Sequence, residues 1–289
     1  MSSQTQSQSL ARAEISLYQG VQQIKEAHGL TDLGIAFYDY ETTLQWSFNA
    51  DAWFHAASTM KLAVLLGVYR MLERGELTMD APVHVRNKFT SIAGQTLYML
   101  DINRDSDPEM YRYLGRTMPV KRLAYQMITT SSNFATNLLV DVVGVPNIQA
   151  ALAELGIEGV TVLRGVEDQA AFDAGLNNMV TANGLLRLLR LVADGKAFSA
   201  GSSQEMLDIL HDQQLKSGIP AGLPQAARVA HKTGNIATVH HDAGIVYLED
   251  RKPYVLVILT RFDQASPRST AVADVSRGIY ECLAGIRSA

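Results

Sequence analysis

Three short segments carry hydroxyl and ammonium groups at spacings that suit acyl transfer: Ser58-Thr59-Met60-Lys61, Ser131-Ser132-Asn133 and Lys232-Thr233-Gly234. A serine attacking an amide or ester needs a base for its proton and N–H donors for the oxyanion that forms. Ser58, at the first turn of an apolar helical run, gains the positive end of the helix dipole and free backbone N–H groups. Lys61 follows one turn later on the same face, which brings its amine near the hydroxyl. A buried lysine crowded by other cations can lose its proton near neutral pH and act as the base. Singly such segments are cheap. A Ser with a Lys three residues later arises by chance roughly once in a chain this long, and Ser47-Phe48-Asn49 repeats the pattern of the second segment. Order and setting carry the weight: a helix start, then a break between helical stretches, then a strand-like run near the C-terminus.

Lys232 and Thr233 offer an ammonium and a hydroxyl to a carboxylate, and Gly234 lets the strand backbone approach a ligand closely. His231, His240 and His241 lie nearby. Neighbouring residues on a strand face opposite sides, so His240 and His241 cannot easily clamp one metal, and they read as structural or substrate-edge histidines. No metal site and no cofactor is expected.

The bulk properties are those of a globular enzyme. The 289 residues are 47% hydrophobic with a net charge of −4, enough to bury a large core and without a basic surface for nucleic acid. The single cysteine, Cys282, excludes an intramolecular disulfide and sits in an apolar stretch, where a small buried hydrophobe is expected. The first nine residues are polar and lack the apolar core of a secretory signal, and they read as a disordered tail. The longest apolar run, Leu62 to Val68, is too short to span a bilayer. The expectations are a monomer acting on a small molecule, without membrane or nucleic-acid partners. As the sequence stands it is expected to be cytoplasmic, and periplasmic or secreted only if a leader has been trimmed from it.

The elements that must position these groups follow from periodicity. Leu10 to His28 reads as an amphipathic helix with Leu10, Ile15, Val21 and Ile24 near one stripe. Two strand-like runs, Leu33 to Tyr40 and Thr43 to Phe48, join at Glu41-Thr42 as a hairpin. From Ser58 to about Gln213 the pattern is mostly helical. Pro119 suits the first turn of a helix through Ile128, and Thr181 can cap the run Leu185 to Val192 that Gly195 ends. Three strand-like runs follow, Ala227 to Thr233, Ala243 to Leu248 and Tyr254 to Thr260, and Ser266-Pro267 opens a last helix to about Ala284. This predicts an α/β chain of the α+β type, in which residues 10–59 and 216–289 form a sheet-containing unit. Residues 60–215 would be an inserted all-helical unit, with the site in the cleft between them.

The three segments together, in this order, resemble the signature of class A β-lactamases, and the resemblance covers nearly the whole chain from about residue 10. It implies an antiparallel five-stranded sheet flanked by helices and a helical insertion. It implies that Ser58 is acylated and that the N–H groups of Ser58 and Asn235 form the oxyanion hole. Ser131 would relay a proton to the leaving nitrogen, and Asn133 would bond both Lys61 and the substrate amide. Lys232, Thr233 and Gly234 would line the wall that meets the carboxylate of a β-lactam or a peptide.

Two letters depart from the family. Ser132 stands where Asp is usual, a side chain that braces the loop in the family. The Glu-x-x-Leu-Asn segment that aims the deacylating water is missing. Glu167 lies near the expected place but has Ala171 where Asn belongs, while Asp173-Ala174-Gly175-Leu176-Asn177 keeps the spacing with a shorter carboxylate. Both remain candidates. The implied function is a serine hydrolase with weak or impaired β-lactam turnover. The alternatives are a hydrolase of another amide or ester, such as a D-amino-acid peptide or small ester, and a sensor that stays acylated.

Overall fold

The computed structural model describes residues 3–265 and 269–288. Along the chain, helix α1 (Ser3–Ala27) leads into strands β1 (Leu30–Asp39), β2 (Gln45–Phe48) and the short β3 (Phe54–His55). A 3-10 turn, Ala57–Met60, opens helix α2 (Lys61–Glu73). Short strands β4 (Pro82–His84), β5 (Phe89–Thr90), β6 (Leu97–Tyr98) and β7 (Thr117–Pro119) precede helices α3 (Val120–Thr129), α4 (Asn133–Val143) and α5 (Val145–Glu154). Then come β8 (Val160–Thr161), α6 (Gln169–Asp173), β9 (Met179–Val180), α7 (Ala182–Ala193) and α8 (Ala200–His211). The chain closes with β10 (Arg228–Ile236), β11 (Val239–Tyr247), β12 (Tyr254–Phe262) and α9 (Ala271–Ser288).

Strands from both ends of the chain form one antiparallel sheet in the order β10-β11-β12-β1-β2. Alternation along β12 shows how two layers pack on it. Tyr254, Leu256 and Ile258 face α1 and α9, where they meet Leu17, Val21, Val275 and Ile279. Val255, Val257 and Leu259 turn to the other face and join the core of α2, α3, α4 and α7. Successive side chains on a strand point to opposite faces, so a strand covered on both sides must be apolar at nearly every position.

Several expected boundaries move. Helix α1 already includes Ser3, so the described part of the polar tail is helical. A helix packed through its C-terminal half can propagate outward at little cost, because each added residue fixes one pair of torsions and gains one bond. Ile15 is 60% exposed instead of lying on the buried stripe, which runs through Leu17 and Val21. The hairpin turn spans Tyr40 to Leu44, with Thr43 in the left-handed region at φ 61°. Pro119 ends β7 and caps α3 rather than lying within it. Residues 60–215 are not wholly helical, since β4–β7, β5–β6 and β3–β9–β8 pair there, β3 lying outside that span. Strand β10 continues past Thr233 to Ile236. The expected start of the last helix at Ser266-Pro267 lies outside the described residues; α9 begins at Ala271. Cys282 is half-buried beside the α1–α9 core. Among the described residues no helix is long and apolar enough to cross a membrane.

Candidate functional site

The Ser58 turn is held by its neighbours on every side. Ala57 adopts φ 45°, Thr59 donates its N–H to the Ala56 carbonyl at 3.0 Å, and its Oγ1 donates to the same oxygen at 2.6 Å. Strand β10 runs against this turn. A Cβ at Gly234 would lie 2.9 Å from Thr59 Cγ2 and 3.0 Å from Thr59 N, so no larger residue fits there. The period of two that puts Gly234 here also turns Lys232 and Ala230 toward the helices.

The three segments converge on one hydroxyl. Lys61 Nζ lies 3.1 Å from Ser131 Oγ, and Lys232 Nζ donates to the same atom at 2.9 Å. Lys61 also donates to the Ser131 carbonyl at 2.7 Å and to Asn133 Oδ1 at 2.9 Å. Both lysines are fully buried. Burial is the main force lowering Lys61 far below the usual amine range. The charge of Lys232 adds to it, while Asp105 and Glu167 pull the other way. Burial also lowers Lys232, to about 7, against the opposing field of Asp242.

Ser131 sits in the left-handed region at φ 59°, in the break between α3 and α4. Ser132 caps α4, its Oγ accepting from the Ala135 N–H at 3.2 Å. The carboxylate that the sequence lacks at 132 arrives from elsewhere. Buried Asp105 accepts from the N–H groups of Asn133 (3.2 Å), Phe134 (2.7 Å) and Asp107 (3.0 Å). Its field reaches Lys61. Removing it would leave three backbone donors without their acceptor. Asp105→Ala is expected to destabilise the fold by about 3 kcal/mol, the scale of buried donors deprived of a charged acceptor. A urea-denaturation midpoint would show this; a loss under about 0.5 kcal/mol, the size of an ordinary surface change, would mean the loop braces itself.

The two candidate carboxylates part company. Glu167 Oε1 accepts from Asn133 Nδ2 at 2.7 Å, so an amide links it to Lys61. Asp173 is exposed at the end of α6 and accepts from Gln169 at 2.7 Å, away from the cluster. The reason lies in how residues 164–178 are tied. Arg164 donates to the Leu176 carbonyl and to Asn177 Oδ1, both at 2.8 Å, closing the neck of the loop. Asn137 on α4 accepts from the Val166 N–H at 2.6 Å and donates to the Val166 carbonyl at 3.0 Å. Glu167 itself is at φ 58°. Buried Asp168 caps α6 at Ala171 and takes the Ser91 hydroxyl at 2.7 Å, so Ala171 supplies backbone where the family has an amide side chain.

Thr233 and Asn235 line an adjoining cavity of about 490 Å³ with Ser217, His240 and His241. His231 is buried against Asp242, its Nδ1 2.9 Å from Oδ1. His241 is buried while His240 packs on Phe262, on opposite sides of β11. Among the described residues no cluster of three or more His, Cys, Asp or Glu is placed to hold a metal ion. Asp105 is not among the residues expected at the site: it comes from a loop without periodic signal, and nothing in the sequence around it points to α4.

Comparison with known proteins extends over nearly the whole chain. The model of the beta-lactamase enzyme family matches residues 16–283. Beta-lactamase ROB-1 of Haemophilus influenzae is 25% identical over 258 residues, 87% of this chain and 79% of its own length. Beta-lactamase CARB-4 of Pseudomonas aeruginosa is 21% identical over 282 residues, covering 94% and 93%. Among solved structures, a PBP-A variant in an acyl-enzyme complex with penicillin G superposes with a TM-score of 0.78 at 24% identity, covering 93% of this chain and 96% of that one. A beta-lactamase from Xanthomonas campestris gives 0.81 at 21% identity, covering 94% and 98%.

Proposed function

This chain belongs to the beta-lactamase enzyme family, and from that premise we propose that it is a serine hydrolase forming an acyl-enzyme at Ser58. Its fold is that of the class A enzymes. The observation that carries the reading is the meeting of Lys61, Lys232 and the Ser131 hydroxyl beside the Ser58 turn. Two partners of Lys61, the Ser131 carbonyl and Asn133 Oδ1, can only accept hydrogen bonds. An uncharged Lys61 satisfies both and keeps a lone pair for an incoming proton.

In the acylation step the Ser58 proton passes to Lys61 as Oγ bonds to the substrate carbonyl carbon. The oxyanion is met by backbone N–H groups of Ser58 and Asn235. As the C–N bond breaks, the leaving nitrogen takes the Ser131 proton, and Lys61 replaces it. Lys232 and Thr233 attract the substrate carboxylate. In deacylation Glu167, held by Asn133, draws a proton from a water that attacks the ester carbonyl; as the bond to Ser58 Oγ breaks, that proton passes on to Oγ and Glu167 is a carboxylate again.

β-Lactams are the leading substrates; the ROB-1 and CARB-4 names and the penicillin-bound PBP-A variant support this class. Turnover is slow, because Ala171 gives the water one fewer side-chain partner. Small activated esters turn over more readily, since their acyl groups are easier to hydrolyse. The test is intact-mass analysis after adding penicillin, beside stopped-flow traces with a chromogenic cephalosporin and a nitrophenyl ester. The expected result is one covalent adduct and a cephalosporin burst followed by a slow phase. Full-speed cephalosporin turnover without a burst would reject the slow step, and no adduct would reject the β-lactam reading.

A further inference from the structure

Resting on the reading that Ser58 is acylated, we propose that His55 is a positioning residue for it, holding the Ser58 turn in place only while its imidazole is uncharged. Ala57, directly before Ser58, sits in the left-handed region at φ 45°, a strained conformation for a residue with a Cβ that persists only when its surroundings enforce it. The enforcement is local. Ala57 donates its N–H to His55 Nδ1 at 3.0 Å. His241 Nε2 donates to the His55 carbonyl at 3.0 Å, and Ala56 donates its N–H to the Asn178 carbonyl at 2.8 Å.

Because Nδ1 accepts, the neutral His55 ring carries its proton on Nε2. That atom is buried and has no hydrogen-bond partner among the described residues. The Asn177 side chain lies alongside and favours the charged ring, while its Oδ1 also accepts from Arg164 at 2.8 Å. The ring leans edge-on against Phe172, with centroids 5.8 Å apart. His55 thus touches both the nucleophile turn and the loop that carries Glu167.

Two titratable groups face it. Arg164 comes from the loop, and His241 comes from β11. His241 accepts from the Thr260 N–H through Nδ1, and burial pushes it down to about 4, so it stays uncharged and keeps its bond to the His55 carbonyl. Burial, then the Arg164 charge, lowers His55 below its ordinary 6.5. Once protonated, both ring nitrogens are donors. Nδ1–H then confronts the Ala57 N–H, and the turn that aims the Ser58 N–H and Oγ loses its support.

The experiment follows the rate of Ser58 labelling by a fluorophosphonate from about pH 5 to pH 8, the range of histidine titration, in wild type, His55→Asn and His55→Leu. Penicillin acylation is followed in parallel. Asn offers an acceptor near the Nδ1 position but does not titrate. Wild type should lose labelling rate as pH falls through a value below 6.5, on top of the Lys61 ionisation. His55→Asn should keep the rate at the alkaline end and lose that fall. His55→Leu should be slower by roughly 10- to 100-fold throughout, as for a misaligned oxyanion donor. An unchanged acid-side fall in His55→Asn, or a wild-type rate in His55→Leu, would overturn the proposal. If thermal unfolding shows that His55→Leu does not fold, the His55→Asn profile decides alone. Fluorophosphonate labelling without penicillin acylation would overturn the β-lactam reading, with the labelling profile still deciding on His55. No label at Ser58 from either probe would overturn both.

Discussion

Ser58→Ala is expected to abolish both acylation and hydrolysis while leaving the fold intact. Ser58 is partly exposed in the 3-10 turn that precedes α2 and its side chain is not part of the core, so removing one oxygen costs little stability. The nucleophile, in contrast, has no substitute. Ser131 is the other hydroxyl in the cluster, and it is buried with two lysines bonded to it. Intact mass after exposure to penicillin or a fluorophosphonate should show one adduct on the wild type and none on the variant. An adduct surviving in Ser58→Ala would move the nucleophile elsewhere and sink the assignment. Unchanged thermal unfolding of the variant separates loss of chemistry from loss of fold.

Glu167→Gln is expected to leave acylation nearly intact and slow deacylation by about two to four powers of ten, the worth of a positioned general base. The amide retains an oxygen for Asn133 Nδ2 to donate to, but it cannot take a proton from water. The adduct should therefore persist long enough to isolate, and the slow phase after the cephalosporin burst should lengthen in proportion. Asp173→Asn serves as the control. Its carboxylate is exposed and bonded to Gln169, so its variant should deacylate at the wild-type rate. If Asp173→Asn slowed deacylation and Glu167→Gln did not, the water would be aimed by the other carboxylate.

The sequence by itself determined the elements and the chemical inventory. Short strand-like apolar runs mark β1, β11 and β12, and an apolar helical run with the Thr181 cap marks α7, because strand burial and helix capping depend on near neighbours. Order along the chain likewise put Ser58 at a helix start, Ser131 at a break and Lys232 on a strand. What only the tertiary structure decided concerns contacts between distant segments. Two carboxylates six residues apart could not be ranked from spacing. The choice came from Arg164 and Asn137, which close the loop so that Glu167 meets Asn133 and Asp173 meets solvent. The brace missing at Ser132 is supplied by Asp105, from a loop with no periodic signal. The lowering of Lys61 below the usual amine range follows from complete burial beside Lys232. Such effects arise where packing removes water and sets groups far apart in sequence within bonding distance. Local periodicity records which face is buried, but not which partner waits there.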